Sequence, residues 1–228
     1  GQRFHDVMAE ESGQTVLAAL HSHIVPLMPD LHQRLTDGLD VLDVGCGKGL
    51  ALIELASRYP RSAFTGVDLS PDAIAAGRAE AQKRGVTNVT LTVGDAATFG
   101  VPASFDHIFA FDAIHDQSRP AAVLANIHRV LRRHGTFLMQ EIKARTALAD
   151  NIGAPLAPFI YTVSCMHCMS VSLANGGPGL GAAWGREQAV SMLKAAGFTR
   201  IRVESLPHDL INDYYLTSRE ADAVRSAA

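Results

Sequence analysis

Apolar and polar positions along this chain follow two alternating periods. Short apolar-rich runs occur at 41–44, 63–69, 89–93, 105–111 and 136–141. Runs of that length read as strands, and the most continuous of them as strands buried on both faces. Between them the apolar residues fall at helical spacing. One helix begins at Leu50, and Tyr59-Pro60 ends it. Ser70-Pro71-Asp72 reads as an N-cap followed by proline at the first helical position, for a helix over 73–84 that Gly85 stops. Another helix is predicted over 119–131, followed by a polar turn at 132–135. Strands alternating with helices predict a parallel sheet with both faces covered.

The ends of the chain read differently. Phe4, Val7, Met8 and Glu11 lie at helical spacing, and Val16, Leu17, Leu20 and Ile24 continue the apolar face. Pro26 and Pro29 interrupt it, and a short helix follows over 31–35. Residues 1–38 are therefore expected to form helices ahead of one compact domain over 39–228. The stretch 155–173 mixes apolar and sulfur residues, and the glycine-rich 175–181 reads as a lid or a connection. A helix over 184–196 ends at Gly197, and late strands are predicted over 201–206 and 213–218.

Composition narrows the field. A chain of 228 residues buries a full core, and its 47% hydrophobic and 19% charged content is that of a globular enzyme. A net charge of −3 leaves no basic footprint for nucleic acid. No run of about 18 apolar residues predicts a membrane span. Three cysteines suit a reducing, cytoplasmic setting rather than a disulfide framework. The chain opens on Gly1 rather than Met, as a piece of a longer protein would.

The chemistry centres on Val41-Leu42-Asp43-Val44-Gly45-Cys46-Gly47-Lys48-Gly49. A strand, a glycine-rich turn and a helix make a nucleotide-type pocket, where backbone approaches ligand and the helix start offers free N–H groups. A dinucleotide fingerprint fails because its third glycine falls on Leu50. A P-loop fails because Gly47-Lys48 is followed by Gly49 rather than Ser or Thr. The acid at the strand end, Asp43, repels a pyrophosphate but suits a ligand that carries an ammonium group. Further acids follow at successive strand ends: Asp68, Asp95, Asp112 and Glu141, with His115 just beyond the fourth strand.

Asp43 with the G-x-G-x-G turn resembles motif I of the class I S-adenosylmethionine-dependent methyltransferases. Gly66-Val67-Asp68-Leu69-Ser70 resembles their second cofactor motif. The resemblance runs from about residue 39 to 141, and it implies that the N-terminal helices of 1–38 cover the cofactor pocket, as they do in related methyltransferases. It implies a Rossmann-like α/β/α sandwich, with a seven-stranded, mostly parallel sheet and an antiparallel last strand. It implies S-adenosyl-L-methionine as cofactor, S-adenosyl-L-homocysteine as product and a small-molecule acceptor, with neither nucleic acid nor membrane as partner. Cofactor contacts are expected from Asp43, Gly45, Cys46, Gly47, Asp68, Leu69, Gly94, Asp95, Ala96, Phe111 and Asp112. Asp68 would accept both ribose hydroxyls, and Asp95 would meet the adenine amino group with Ala96 beside the ring. His115-Asp116 is similar to the catalytic sequence of the plant-type small-molecule O-methyltransferases. That likeness implies His115 as general base, with Glu141 orienting it. Their pattern continues with Trp where this chain has Gln117. Asp116, Tyr161 and His167 are expected at the acceptor, and no metal is expected, although Asp112, Asp116 and Glu141 form an alternative Mg²⁺ set. The later segments are similar to two-domain members with an N-terminal winged-helix module, whose dimer contacts would come with that module. The rival readings are a regulator that binds the cofactor without turnover, and an NAD-linked oxidoreductase.

Overall fold

In the computed structural model, which describes residues 13–219, the apolar runs pair into one seven-stranded sheet. Its strands are β1 (Asp40–Val44), β2 (Ala63–Asp68), β3 (Val89–Val93), β4 (Phe105–Phe111), β5 (Leu131–Ile142), β6 (Arg200–Glu204) and β7 (Asn212–Ser218). Their order is β3-β2-β1-β4-β5-β7-β6. All pairings are parallel except those of β7, which runs antiparallel to β5 and β6. This is the Rossmann-like arrangement expected from the sequence. The strand order reverses between β1 and β4, so a crevice opens beyond their carboxyl ends.

Helices cover both faces. On one face lie α1 (Leu31–Asp37), α2 (Leu50–Arg58) and α3 (Pro71–Lys83). Leu31, Leu35, Leu52, Leu55 and Ile74 pack there against Phe64, Phe109 and Leu138. The α3 N-cap forms as the sequence predicts: the Ala73 N–H donates to Ser70 Oγ at 3.2 Å. On the other face, α4 (Pro120–Val130) packs Val123, Leu124 and Ile127 against Val44, Ile108 and Phe137.

Three segments differ from the sequence reading. The polar turn expected at 132–135 belongs to β5, which starts at Leu131. Arg132 holds that end in place by reaching Asp40 at 2.8 Å and Asp106 at 2.5 Å. The helical face at 16–24 is built as two π-type turns, Gly13–Leu17 and Leu20–Ile24, followed by the 3₁₀ turn Val25–Leu27. Val16, Leu20 and Ile24 are still buried. Phe4 and Met8 lie outside the described residues.

The third segment follows β5. Here α5 (Ala157–Val163), a π-turn (Ser164–Cys168) and α6 (Met169–Ala174) run on as one rod. By length and composition this rod, Ala157–Ala174, is long and apolar enough to cross a membrane, and 22% of it is buried in the fold. Hydroxyl side chains and His167 interrupt its apolar run, so counting consecutive apolar residues passes over it. Beyond it, α7 (Arg186–Ala195) packs Ala189 and Leu193 on the α4 side of the sheet.

Candidate active site

The turn after β1 is held by the neighbouring strand. The N–H groups of Gly45 and Cys46 both donate to Val67 O, at 2.9 and 3.2 Å. Gly47 has φ +53°, and a Cβ placed there would meet nothing within 4 Å, so open space lies in front of the turn. Its N–H donates to Asp68 Oδ2 at 2.9 Å, while Asp68 Oδ1 accepts from Ser70 N at 2.8 Å. Asp68 thus ties the turn to the start of α3. Gly77 of α3 is there for close approach, because a Cβ would fall 2.2 Å from Lys48 O.

Asp43 sits at the end of β1, 3% exposed. Its Oδ1 has no hydrogen-bond partner among the described residues. Burial, and then the charge of Asp68, push its pKa well above the usual carboxylate range. A buried carboxylate with an unengaged oxygen costs free energy until a cation or donor meets it. The site therefore fits a ligand with an ammonium group, as S-adenosylmethionine has. Burial, and then the charges of Asp43 and Asp68, push the Cys46 thiol pKa up and keep the thiol protonated.

The rim of the crevice comes from the next strands. Leu69 is 63% exposed just past β2, and Gly94 N donates to Asp68 O at 2.9 Å. Asp95 Oδ1 accepts from Ala97 N at 2.8 Å. Asp95 Oδ2 pairs with Arg119, a rim residue that the sequence did not suggest. Ala96 is buried beside them. Phe111 stacks on Phe109 with ring centroids 5.2 Å apart.

Beyond β4 the backbone bends sharply. Asp112 has φ +51°, uncommon for a residue with a side chain and a mark of stored strain. Its N–H still donates to Gln140 O at 2.9 Å. The bend returns His115 over the end of β5, where Nδ1 lies 2.7 Å from Glu141 Oε2 and 3.6 Å from Asp112 Oδ1. Glu141 Oε1 accepts from Ile114 N at 2.8 Å, and Oε2 accepts also from Trp184 Nε1 at 3.2 Å. The side chains of His115 and Glu141 are 2% and 0% exposed. Burial alone would lower the His115 pKa. The charges of Glu141 and Asp112, with the hydrogen bond to Glu141, outweigh it and raise the value well above that of free histidine. Since a carboxylate only accepts, His115 Nδ1 carries a proton and donates. Nearby, Asp116 is half-buried, and burial raises its pKa.

The other expected residues are placed less centrally. Tyr161 OH accepts from Asn151 Nδ2 at 3.0 Å, which anchors the loop after β5. His167 is half-buried within the π-turn. Cys165 is exposed and Cys168 buried, and neither belongs to the candidate metal-ligand set found among the described residues. Ligand atoms of Asp112, His115 and Glu141 lie within 4.8 Å of one another, a set that an ion could use. It is not the set named from sequence, since Asp116 is outside it. Three N–H groups already occupy both oxygens of Glu141, so the arrangement fits a hydrogen-bonded dyad better than a metal centre. Trp184 completes the dyad's surroundings. This contact has no local sequence signal, because it spans a long stretch of chain.

A family profile described as "Methyltransferase domain" matches residues 35–197. The nocamycin O-methyltransferase of Saccharothrix syringae is 31% identical over 199 residues, covering 82% of this chain and 66% of its own length. The aklanonic acid methyltransferase DauC of Streptomyces sp. strain C5 is 36% identical over 114 residues, covering 44% and 52%. The chain thus spans between about half and two thirds of these relatives. Among solved structures, PigF with S-adenosylhomocysteine superimposes with a TM-score of 0.70 at 19% identity, over 94% of this chain and 57% of that one. The [4+2]-cyclase SpnF superimposes with a TM-score of 0.56 at 26% identity, over 73% and 53%.

Proposed function

The chain belongs to the methyltransferase-domain family, with S-adenosylmethionine as cofactor, and from that premise we propose that it methylates a hydroxyl group of a small organic acceptor. His115 would take the proton, and Glu141 would hold His115. The buried hydrogen bond between His115 and Glu141, at the ends of β4 and β5, carries this reading. The name of the nocamycin relative supports oxygen as the acceptor atom.

When bound, S-adenosylmethionine supplies an electrophilic methyl carbon on a sulfonium centre. The rest falls to the chain. Asp43 receives the ammonium group on its unengaged oxygen. Asp68 keeps lone pairs for the ribose hydroxyls while it holds the Gly47 turn, and Asp95 and Ala96 border the base. Gly45, Cys46, Gly47, Leu69, Gly94, Phe111 and Asp112 form the walls. Glu141 accepts the Nδ1 proton of His115, so Nε2 is the nitrogen that accepts a proton from the acceptor. The charges of Glu141 and Asp112 raise the His115 pKa against the effect of burial, and a cation bound nearby pushes it back down, toward the neutral, basic form. Asp116, Tyr161 and His167 border the acceptor side.

The test is an acceptor screen. The protein is incubated with S-adenosylmethionine and a panel of phenols, enols and carboxylic acids, and products heavier by one methylene are sought by mass spectrometry. His115→Gln should lower turnover about 10²-fold or more with cofactor affinity by calorimetry unchanged. Equal loss of both would make His115 structural. The name of the SpnF structure favours one second reading, a cofactor-binding protein that transfers no methyl group. Acceptor binding without loss of S-adenosylmethionine would select it.

A further inference from the structure

One row of the sheet face under α1 is polar. In register across four strands stand Arg200 of β6, Ser218 of β7, Thr136 of β5 and His107 of β4. Residues opposite one another on adjacent strands share a face. The next row toward the crevice is Arg202, Leu216, Leu138 and Phe109, and its last three members belong to the core. Ser218, Thr136 and His107 are 0%, 2% and 0% exposed. Polar groups at such depth cost free energy unless partners meet them. His107 Nδ1 meets Thr136 Oγ1 at 2.6 Å, whereas Nε2 has no hydrogen-bond partner among the described residues.

At the edge of the sheet this row opens into a cavity of about 370 Å³, which Thr136 and Arg200 help to line. That is room for a small organic ligand. Arg34 of α1 and Arg202 of β6 line it as well, and among the described residues the lining carries no acidic side chain. Arg200 and Arg202 alternate along β6, so they share a face. Arg202 Nη2 donates to Leu27 O, and Nη1 lies 3.2 Å from Glu204 Oε1, which fixes that guanidinium between β6 and the turn before α1. Met28, Pro29 and Leu216 supply an apolar wall. Thr136 and Glu141 are both on β5, about 17 Å apart along the strand. The cavity is therefore separate from the methyl-transfer crevice.

We propose that this cavity binds a small organic phosphate, with its dianion among Arg34, Arg200 and Arg202 and its short apolar stem against Met28, Pro29 and Leu216. The planar fork of a guanidinium matches phosphate oxygens two at a time. Three cations around one small cavity repel one another, and a dianion relieves that repulsion more fully than a carboxylate does. The ligand joins α1 to β6 and so fastens the segment ahead of β1 to the edge of the sheet. It is a second binding site, at the opposite end of the strands from Asp43 and His115, and it does not depend on which group the protein methylates.

The test is calorimetric titration of the full chain with hexyl phosphate, hexanoate and inorganic phosphate, in the absence and presence of S-adenosylhomocysteine. Hexyl phosphate should bind most tightly of the three, equally in both series, and more weakly as salt is raised. Arg200→Gln and Arg34→Gln should each weaken it about 10- to 150-fold, the weight of a charged hydrogen bond, with S-adenosylhomocysteine affinity unchanged. Arg200 is exposed on the edge strand, so its replacement keeps the fold. Arg84→Gln, an exposed arginine outside the cavity, should bind as the wild type does. Absence of binding overturns the site. So does an equal loss in Arg84→Gln, which would show general attraction of charge, and so does displacement of hexyl phosphate by S-adenosylhomocysteine, which would place it in the crevice. Equal affinity for hexanoate overturns the dianion, and equal affinity for inorganic phosphate overturns the stem.

Discussion

Replacing Glu141 by Gln changes one atom in a site where three N–H groups converge. Oε1 accepts from Ile114 N, and Oε2 from His115 Nδ1 and Trp184 Nε1. An amide offers one oxygen. If that oxygen stays with Ile114, the amide NH₂ faces His115 and Trp184. His115 must then turn to the tautomer with its proton on Nε2, and the buried indole N–H loses its partner. If the oxygen turns the other way, NH₂ faces the Ile114 N–H. In either case at least one buried donor is left unmet, at about 1–3 kcal/mol. Taking about 2 kcal/mol, the thermal midpoint should fall by about 4–8 °C. Turnover should fall further, by about 10³-fold or more, because the wrong tautomer has no lone pair at Nε2. A pH series of unfolding midpoints supplies an independent reading. The raised folded pKa of His115 gives stability that is full below about pH 6.5 and is lost as the pH climbs through the raised value. In Glu141→Gln that alkaline loss should largely disappear. A variant that keeps the wild-type midpoint, alkaline slope and turnover would refute the geometry. One that loses stability but keeps turnover would leave the dyad a packing feature.

Asp43→Asn should leave the unliganded midpoint equal or higher at neutral pH, since the raised pKa of Asp43 opposes folding above the unfolded-state value. The same variant should bind S-adenosylhomocysteine about 10- to 150-fold more weakly by calorimetry, the weight of a charged hydrogen bond; unchanged affinity would remove Asp43 from the ammonium site. Gly77→Ala should cost about 1–3 kcal/mol and weaken cofactor binding, because its Cβ meets backbone of the glycine turn rather than a movable side chain. An unshifted midpoint would show that α3 does not bear on the turn. Turnover should survive EDTA, since the oxygens of Glu141 are already filled; loss restored by Mg²⁺ would reinstate the metal. Finally, kcat/KM should rise with pH above neutrality as His115 loses its proton, and a rate flat from pH 6 to 9 would count against His115 as the base.

The parts of this site that follow local periodicity were readable from the chain alone. Asp43, Asp68 and Glu141 were found because strand runs have recognisable ends, and parallel strands bring those ends to one side of the sheet. His115 and Glu141 were linked through family likeness, and the fold brings them to 2.7 Å. What stayed hidden depends on tertiary contact. Trp184 reaches Glu141 across 43 residues, a contact that no local pattern announces. At 13–24 the turns are π-type rather than α-helical, yet the apolar positions Val16, Leu20 and Ile24 that the pattern marks are buried all the same. The turn expected at 132–135 became strand because Arg132 gains two carboxylate partners by staying extended, a gain that exists only once β1 and β4 are in place.

Trp184 is the only tryptophan of the chain. Its indole is 4% exposed and donates to the carboxylate that holds His115. The long-wavelength fluorescence of the whole protein therefore comes from one ring wired to one site. A charge arriving at or leaving the dyad alters the field along that N–H bond, and emission reports it without label or product. Candidate acceptors can be sorted by titration alone, in the order in which they disturb a single chromophore, before any methylated compound has been identified.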